Sequence, residues 1–148
     1  MTERIIGLAN KLKNEFGTGD PREICRCMSI SFLVTELPER LNGFYMETAS
    51  GRAIAVASRL DSVSARSCAA HELGHAVLHR GINTVFMSDN TSFVQGRFER
   101  EADLFAAALL LDDEKFSSCE NIETLAAANA LPLCAVERLW QMRLKKIS

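Results

Sequence analysis

The segment Ala69–Arg80, with the sequence AAHELGHAVLHR, constrains this chain more than any other part of it. Its three histidines are four residues apart and are the only histidines among the 148 residues. At the roughly 3.6-residue period of an α-helix, this spacing puts all three imidazoles on one stripe. The residues between them are apolar or small, so we expect a helix that is buried on most sides. Buried imidazoles need partners, and a metal ion is the partner that this pattern favours.

An HExxH motif occupies positions 71–75 of this segment. His71 and His75 lie one helical turn apart, and each can bring a ring nitrogen to about 2.0–2.1 Å from one Zn²⁺ ion. Glu72 is turned by about 100° around the helix axis, so it is free to take a proton from a water molecule. Two ligands beside a general base are the parts of a metal hydrolase. The motif therefore predicts His71 and His75 as zinc ligands and Glu72 as the catalytic residue.

His79 continues the histidine stripe but does not suit the same ion. It is eight residues after His71, which corresponds to about 12 Å along a straight helix. We expect His79 in the last turn of the helix, where a backbone carbonyl and the helix dipole suit an imidazole. The third ligand must then come from another segment.

Three acidic residues in the apolar-patterned segment 97–111 are candidates for that ligand: Glu99, Glu101 and Asp103. Glu99 and Asp103 are four residues apart and share one helix face, whereas Glu101 is about 160° away from Glu99 around the axis. We predict Glu99 as the third ligand and keep Glu101 as the alternative. Asp103 is expected to accept a hydrogen bond from a ligand histidine and so to fix its tautomer.

The remainder of the chain predicts an α+β fold in a single domain, 1–148. An N-terminal amphipathic helix ends in the glycine-containing turn 17–21. A small antiparallel three-stranded sheet is expected next, with a hairpin loop at 49–51. Helices form the rest of the predicted fold: the HExxH helix from about 62, the acidic helix 97–111, a helix that ends near 129 and a last helix from Pro132. The polar segment 81–96 is predicted to be a long loop.

Composition excludes several classes of protein. The chain is 47% hydrophobic and 24% charged with a net charge of −2, which is typical of a globular domain and not of a nucleic-acid-binding one. Its apolar runs are too short for a transmembrane span, and the charged N-terminal segment lacks the apolar stretch of a secretion signal. We therefore expect a cytoplasmic protein without membrane partners.

The sequence RSCAAHELGH at 66–75, followed by EREADLFAAALL at 99–110, resembles the ImmA/IrrE family of bacterial and phage metallopeptidases. That family has an AHELGH helix and then an E-x-x-A-N/D-x-F-A-x-x-L-L helix. The resemblance extends over 28–111. Two departures are Asp103, where the family often has Asn, and Leu111-Asp112, where it often has Met-Pro.

The resemblance implies a zinc endopeptidase with a zincin-like helical core. It assigns His71 and His75 to the metal, Glu72 to catalysis and Glu99 to the third ligand position. It also implies a protein substrate, namely a repressor-like helix-turn-helix regulator encoded in a prophage or mobile element.

Further expectations concern the substrate and the alternative functions. The strand at 52–58 could offer an edge for an extended peptide, and Tyr45 is expected in the core or at the surface and not at an oxyanion site. One alternative function is a non-catalytic zinc-containing regulator that binds its repressor stoichiometrically. Another is a DNA-binding regulator, because 125–139 has a faint helix-turn-helix pattern. Two packed amphipathic helices explain that pattern more simply, so direct nucleic-acid binding is not expected.

Overall fold

The computed structural model describes residues 1–84 and 93–147. Within these ranges the chain runs from helices through a sheet to more helices, which confirms the predicted α+β class. In chain order the elements are α1 (Thr2–Phe16), α2 (Pro21–Cys27), β1 (Ile30–Thr35), β2 (Gly43–Thr48), β3 (Gly51–Ala57), α3 (Ser62–Leu78), α4 (Phe93–Leu110), α5 (Asp113–Ser118), α6 (Ile122–Ala128) and α7 (Leu133–Ile147). Half of the predicted loop 81–96, residues 85–92, lies outside the described residues, and its last four positions belong to α4. None of the helices described has the length and apolar character needed to cross a bilayer.

The sheet is mixed, which corrects the prediction of an antiparallel sheet. Its strand order is β1-β3-β2. β2 and β3 form an antiparallel hairpin with Tyr45 opposite Ile54, but β1 runs parallel to β3 with Phe32 opposite Ile54. Side chains alternate in the same way in both kinds of pairing, so the sequence pattern does not reveal strand direction. Because β3 is the central strand, the predicted substrate edge at 52–58 is also wrong.

The segment between α1 and β1 contains a helix that the sequence analysis missed. Gly17 ends α1 in the left-handed conformation, with φ of 69°. Asp20 then begins α2 by accepting a hydrogen bond from the backbone N–H of Arg22, and Pro21 occupies the first turn. With only seven residues, α2 is too short to show a helical period, and its proline suggested a turn.

The HExxH helix α3 packs closely along α4. A Cβ atom added at Gly74 would lie 3.2 Å from the Cα of Ala102 and 3.2 Å from Cδ1 of Phe105, so glycine permits this approach of the two backbones. Asp61 begins α3 by accepting a hydrogen bond from the N–H of Ser64. The close packing places the histidines of α3 against the acidic residues of α4.

The C-terminal helices support this pair. α7 contacts α4 and buries Val136 and Leu139. In α3, the hydroxyl of Ser67 donates a hydrogen bond to the carbonyl of Ala130, which lies between α6 and α7. This bond holds the turn at the rim of a cleft that also contains His71.

Candidate metal centre

The first two histidines of the stripe direct one ring nitrogen at each other. Nε2 of His71 and Nε2 of His75 are 3.2 Å apart, and the two rings are nearly perpendicular, with an interplanar angle of 80°. His75 is completely buried, whereas the side chain of His71 is 19% exposed. Their one-turn separation on α3 produces this arrangement, as the spacing predicts.

Glu99 of α4 joins the two histidines. Its Oε1 lies 2.9 Å from Nε2 of His75, and its Oε2 lies 3.0 Å from Nε2 of His71. Across the described part of the chain, these three side chains form a group whose ligand atoms lie within 4.8 Å of one another. Ligand atoms around a tetrahedral zinc ion are about 3.4 Å apart. The separations therefore suit one ion, and Glu101, the alternative third ligand, contacts His79 instead.

Asp103 lies behind His71. Its Oδ1 is 2.8 Å from Nδ1 of His71. A carboxylate oxygen accepts hydrogen bonds, so Nδ1 of His71 donates to Asp103, and Nε2, which faces Glu99 and His75, is the nitrogen that a metal ion would bind in place of a second proton. This is the contact that the i, i+4 spacing of Glu99 and Asp103 favours. The geometry suits an ion at Nε2, because a lone pair and a carboxylate repel each other without a cation between them.

The charges of the cluster favour a cation as well. Burial by itself disfavours the imidazolium of His71, but hydrogen bonds with Asp103 and Glu99 outweigh it and raise the pKa of His71 to about 10. Burial likewise favours the protonated form of Glu99, yet its hydrogen bonds with both histidines hold the pKa of Glu99 well below the ordinary value. A positive charge is therefore favourable among these side chains. A protonated imidazole supplies it here, and a divalent ion fits the same need.

Glu72 lies outside the ligand group but in the same cleft. It is only 6% exposed, and its Oε2 accepts a hydrogen bond of 3.0 Å from the hydroxyl of Thr84. Burial raises the pKa of Glu72 despite the neighbouring His71 and His75. Glu72, His71 and Glu99 all line a cleft of about 380 Å³. A buried carboxyl with a raised pKa in such a cleft has the properties of a general base.

His79 has partners that differ from those predicted. It is buried at the C-terminal end of α3, and its Nδ1 lies 2.9 Å from Nδ1 of His75. Its Nε2 lies 2.8 Å from Oε1 of Glu101, which is also buried. The expected backbone carbonyl partner is therefore wrong, because a carboxylate from α4 takes that place. Helical spacing on α3 alone contains no information about an acid on another helix.

A larger cleft of about 820 Å³ is lined by parts of α1, α4, α5 and α7 and shares no residue with the cleft at His71. Leu111 and Asp112, where the chain departs from the Met-Pro pattern, line this larger cleft. Asp112 also begins α5 by accepting a hydrogen bond from the N–H of Lys115. The departure therefore shapes a surface away from the histidines.

Tyr45 lies in the core, which is one of the two places expected for it. It is fully buried, and its hydroxyl donates a 2.8 Å hydrogen bond to Oε2 of Glu47. Glu47 also accepts hydrogen bonds from the guanidinium of Arg80 and the N–H of Gly81. Led by the contribution of Arg80, these bonds lower the pKa of Glu47 to about 2. Glu47 thus ties β2 to the residues that follow α3.

Replacing Glu47 with Gln should make stability less dependent on pH. A carboxyl whose pKa is lower in the folded than in the unfolded protein stabilises the fold above its ordinary pKa, and this contribution disappears as the pH falls toward about 2. We expect Glu47→Gln to lower the melting temperature at pH 7 and to have a shrinking effect between pH 4.5 and pH 2. Thermal unfolding followed by circular dichroism measures this, with the exposed Glu15→Gln as control. An equal loss at every pH would contradict the assignment.

Asn83 and Thr84, a few residues after the end of α3, contact the site although the sequence does not predict them there. The hydroxyl of Thr84 donates to Glu72 and accepts from the N–H of Tyr45 at 2.6 Å, and Oδ1 of Asn83 accepts from the N–H of Glu47. These side chains thus occupy part of the outer edge of β2 beside Glu72. A threonine in a polar segment gives no sign that it will be buried, because its contacts lie 39 residues away at Tyr45.

The fold and this cleft define a class: an α+β, metallopeptidase-like protein with an HExxH helix and a carboxylate from a second helix. The sequence matches the family described as IrrE N-terminal-like domain, Peptidase_M78, over residues 25–130. The chain therefore belongs to the ImmA/IrrE family of metallopeptidases.

Two relatives of this chain come from Bacillus and one of its phages. The chain is 32% identical over 132 residues to "Uncharacterized immunity region protein 2" of Bacillus phage phi105, covering 86% of this chain and 84% of that protein. It is 29% identical over 98 residues to "Metallopeptidase ImmA" of Bacillus subtilis (strain 168), covering 66% of this chain and 57% of that protein. The family and these relatives link the chain to metallopeptidases and to phage immunity.

Proposed function

We propose that the chain is a zinc-dependent endopeptidase that cleaves a repressor-like transcriptional regulator. The observation that carries this proposal is the convergence of ligand atoms from His71, His75 and Glu99 within 4.8 Å, in a cleft that also contains Glu72. A structural zinc site is usually closed by four protein ligands, whereas a catalytic site has three and keeps one position open. Three ligands beside a buried glutamate therefore favour catalysis over a structural role.

In this proposal His71, His75 and Glu99 hold the zinc ion, and Asp103 fixes the tautomer of His71. When bound, zinc supplies Lewis acidity that polarises the scissile carbonyl and makes water a better nucleophile near neutral pH. Glu72 takes the proton of the attacking water and passes it to the leaving amine nitrogen as the C–N bond breaks. Burial raises the pKa of Glu72, which favours its uptake of a proton between these two steps.

The substrate is proposed to lie along the outer edge of β2. Backbone groups of alternate residues face such an edge. The N–H groups of Tyr45 and Glu47 face it, and they are used by Thr84 and Asn83. The same alternation directs the backbone of Gly43 outward, and Gly43 lines the cleft beside Glu72. We infer that an extended peptide pairs at the Gly43 end of β2, which replaces the edge expected at β3.

The names of the relatives support the choice of substrate. One is called an immunity region protein of a phage, and the other is called metallopeptidase ImmA. We therefore propose that the substrate is a helix-turn-helix repressor of a prophage or mobile element. The chain would then act in the cytoplasm, where such a repressor binds DNA.

The proposed function is tested by incubating the purified, zinc-loaded chain with a helix-turn-helix repressor from the same genetic element. We expect discrete repressor fragments by gel electrophoresis and mass spectrometry, and a new N-terminus at one bond. A zinc chelator should stop the cleavage, and added zinc should restore it. If the chain releases the repressor from DNA while leaving it intact, it is a stoichiometric regulator and the peptidase proposal fails.

A further inference from the structure

Behind His75, a second layer of side chains leads away from the ligand atoms. Nδ1 of His75 lies 2.9 Å from Nδ1 of His79, and Nε2 of His79 lies 2.8 Å from Oε1 of Glu101. The ring of His79 stacks on Phe98 with centroids 4.2 Å apart. His75, His79 and Glu101 are 0%, 5% and 8% exposed, so water reaches this row of side chains poorly.

The positions of the protons in this row follow from its last member. A carboxylate oxygen accepts hydrogen bonds, so the N–H at Nε2 of His79 donates to Oε1 of Glu101. A neutral imidazole carries one proton, which leaves Nδ1 of His79 as an acceptor. Nδ1 of His75 must therefore donate to it, and Nε2 of His75 is left with its lone pair toward Glu99 and His71.

We propose that His79 and Glu101 are positioning residues that fix the tautomer and ring orientation of His75 for the metal, an inference that rests on the proposed function. The two proposed ligand histidines differ in the hydrogen-bond partner of their Nδ1 atoms. His71 meets the carboxylate of Asp103 directly, whereas His75 reaches a carboxylate through the ring of His79. This explains why the third histidine continues the stripe without being a ligand.

Burial cost supports a role beyond filling space. Glu101 lies at the interface of α3 and α4, where its Oε1 is 2.8 Å from Nε2 of His79. Its other oxygen, Oε2, is 3.8 Å from Nε of Arg97, which is a longer and weaker contact. Burying a carboxylate costs more free energy than burying an apolar side chain of similar size, unless strong hydrogen bonds offset it. An apolar residue would fill the same space beside Phe98 but would give His79 no acceptor.

The test compares variants that keep or remove the acceptor next to His75. His79→Phe keeps an aromatic ring against Phe98 but removes the acceptor, whereas His79→Asn places an amide oxygen near the position of Nδ1. Glu101→Leu keeps a side chain of similar size but removes the acceptor of His79. Zinc affinity is measured by competition with a chromophoric chelator. The tautomer of His75 is read from ¹⁵N chemical shifts of its ring in the zinc-loaded protein.

We expect His79→Phe and Glu101→Leu to weaken zinc binding by about 10–100-fold, the usual effect of removing an outer hydrogen-bond partner. His79→Asn should stay close to wild type and keep the Nδ1–H tautomer of His75. Wild-type affinity together with an unchanged His75 tautomer in His79→Phe would overturn the inference. If His79→Phe does not fold, the contrast between Glu101→Leu and His79→Asn decides in the same way.

A failure of the proposed function would look different. In that case wild-type protein would not bind zinc, or His71→Ala would bind it as tightly as wild type. The metal site would then be refuted, and the inference would fall with it. Normal zinc binding that needs His71 but is indifferent to both His79 and Glu101 would refute the inference alone.

Discussion

Replacing Glu72 with Gln is expected to lower the rate of repressor cleavage by about 10²–10⁴-fold, the range typical for loss of a general acid–base group. The amide has nearly the same size and can still accept the hydrogen bond from Thr84, so the cleft should keep its shape. Because Glu72 is not among the side chains whose ligand atoms converge, zinc content should remain unchanged. The loss should therefore appear in kcat and not in metal loading.

The measurement is single-turnover cleavage of the repressor by the zinc-loaded variant, with zinc content determined on the same sample. Glu123→Gln, an exposed position on α6, is the matched control and should cleave at the wild-type rate. Cleavage by Glu72→Gln at more than about a tenth of the wild-type rate would show that Glu72 is not the general base. Relief of repression by the variant without cleavage would favour the stoichiometric regulator instead.

Contacts that depend only on the residue spacing within one helix could be predicted from the sequence. The HExxH spacing predicts that His71 and His75 face each other, and Nε2 to Nε2 is 3.2 Å. The i, i+4 spacing of Glu99 and Asp103 predicts a shared face, and both side chains reach His71. Each of these predictions needs only that a helix forms and that its buried face meets its neighbour.

Contacts that depend on how separate helices and strands pack together could not be predicted from the sequence. Glu101 has the local pattern of a solvated acid, and only the packing of α3 on α4 brings it to His79. The direction of β1 is set by the connection that crosses to β2 and not by its own alternation, so the mixed sheet could not be predicted. The hydroxyl of Thr84 accepts a hydrogen bond from the N–H of Tyr45 and donates one to Glu72, so its buried position depends on residues far away in the sequence. Nothing in the adjacent residues encodes any of these contacts.

Replacing either His71 or Glu99 with Ala is expected to abolish stable zinc binding. Either change leaves two of the three converging side chains, and two protein ligands do not form the three-ligand site of a zinc hydrolase. The fold should persist, because His71 and Glu99 are only partly buried and the helix pair is held by contacts such as Gly74 on Ala102. Glu101→Ala should keep its zinc at saturating concentration, since Glu101 contacts His79 and not the ligand atoms.

The most direct test is the zinc content of the purified chain beside these three variants, each prepared in excess zinc and then desalted, with circular dichroism to verify folding. We expect about one zinc per chain in the wild type and in Glu101→Ala, and about a tenth or less in His71→Ala and Glu99→Ala. A wild-type chain without zinc, or a folded Glu99→Ala chain that retains a full equivalent, would contradict this expectation.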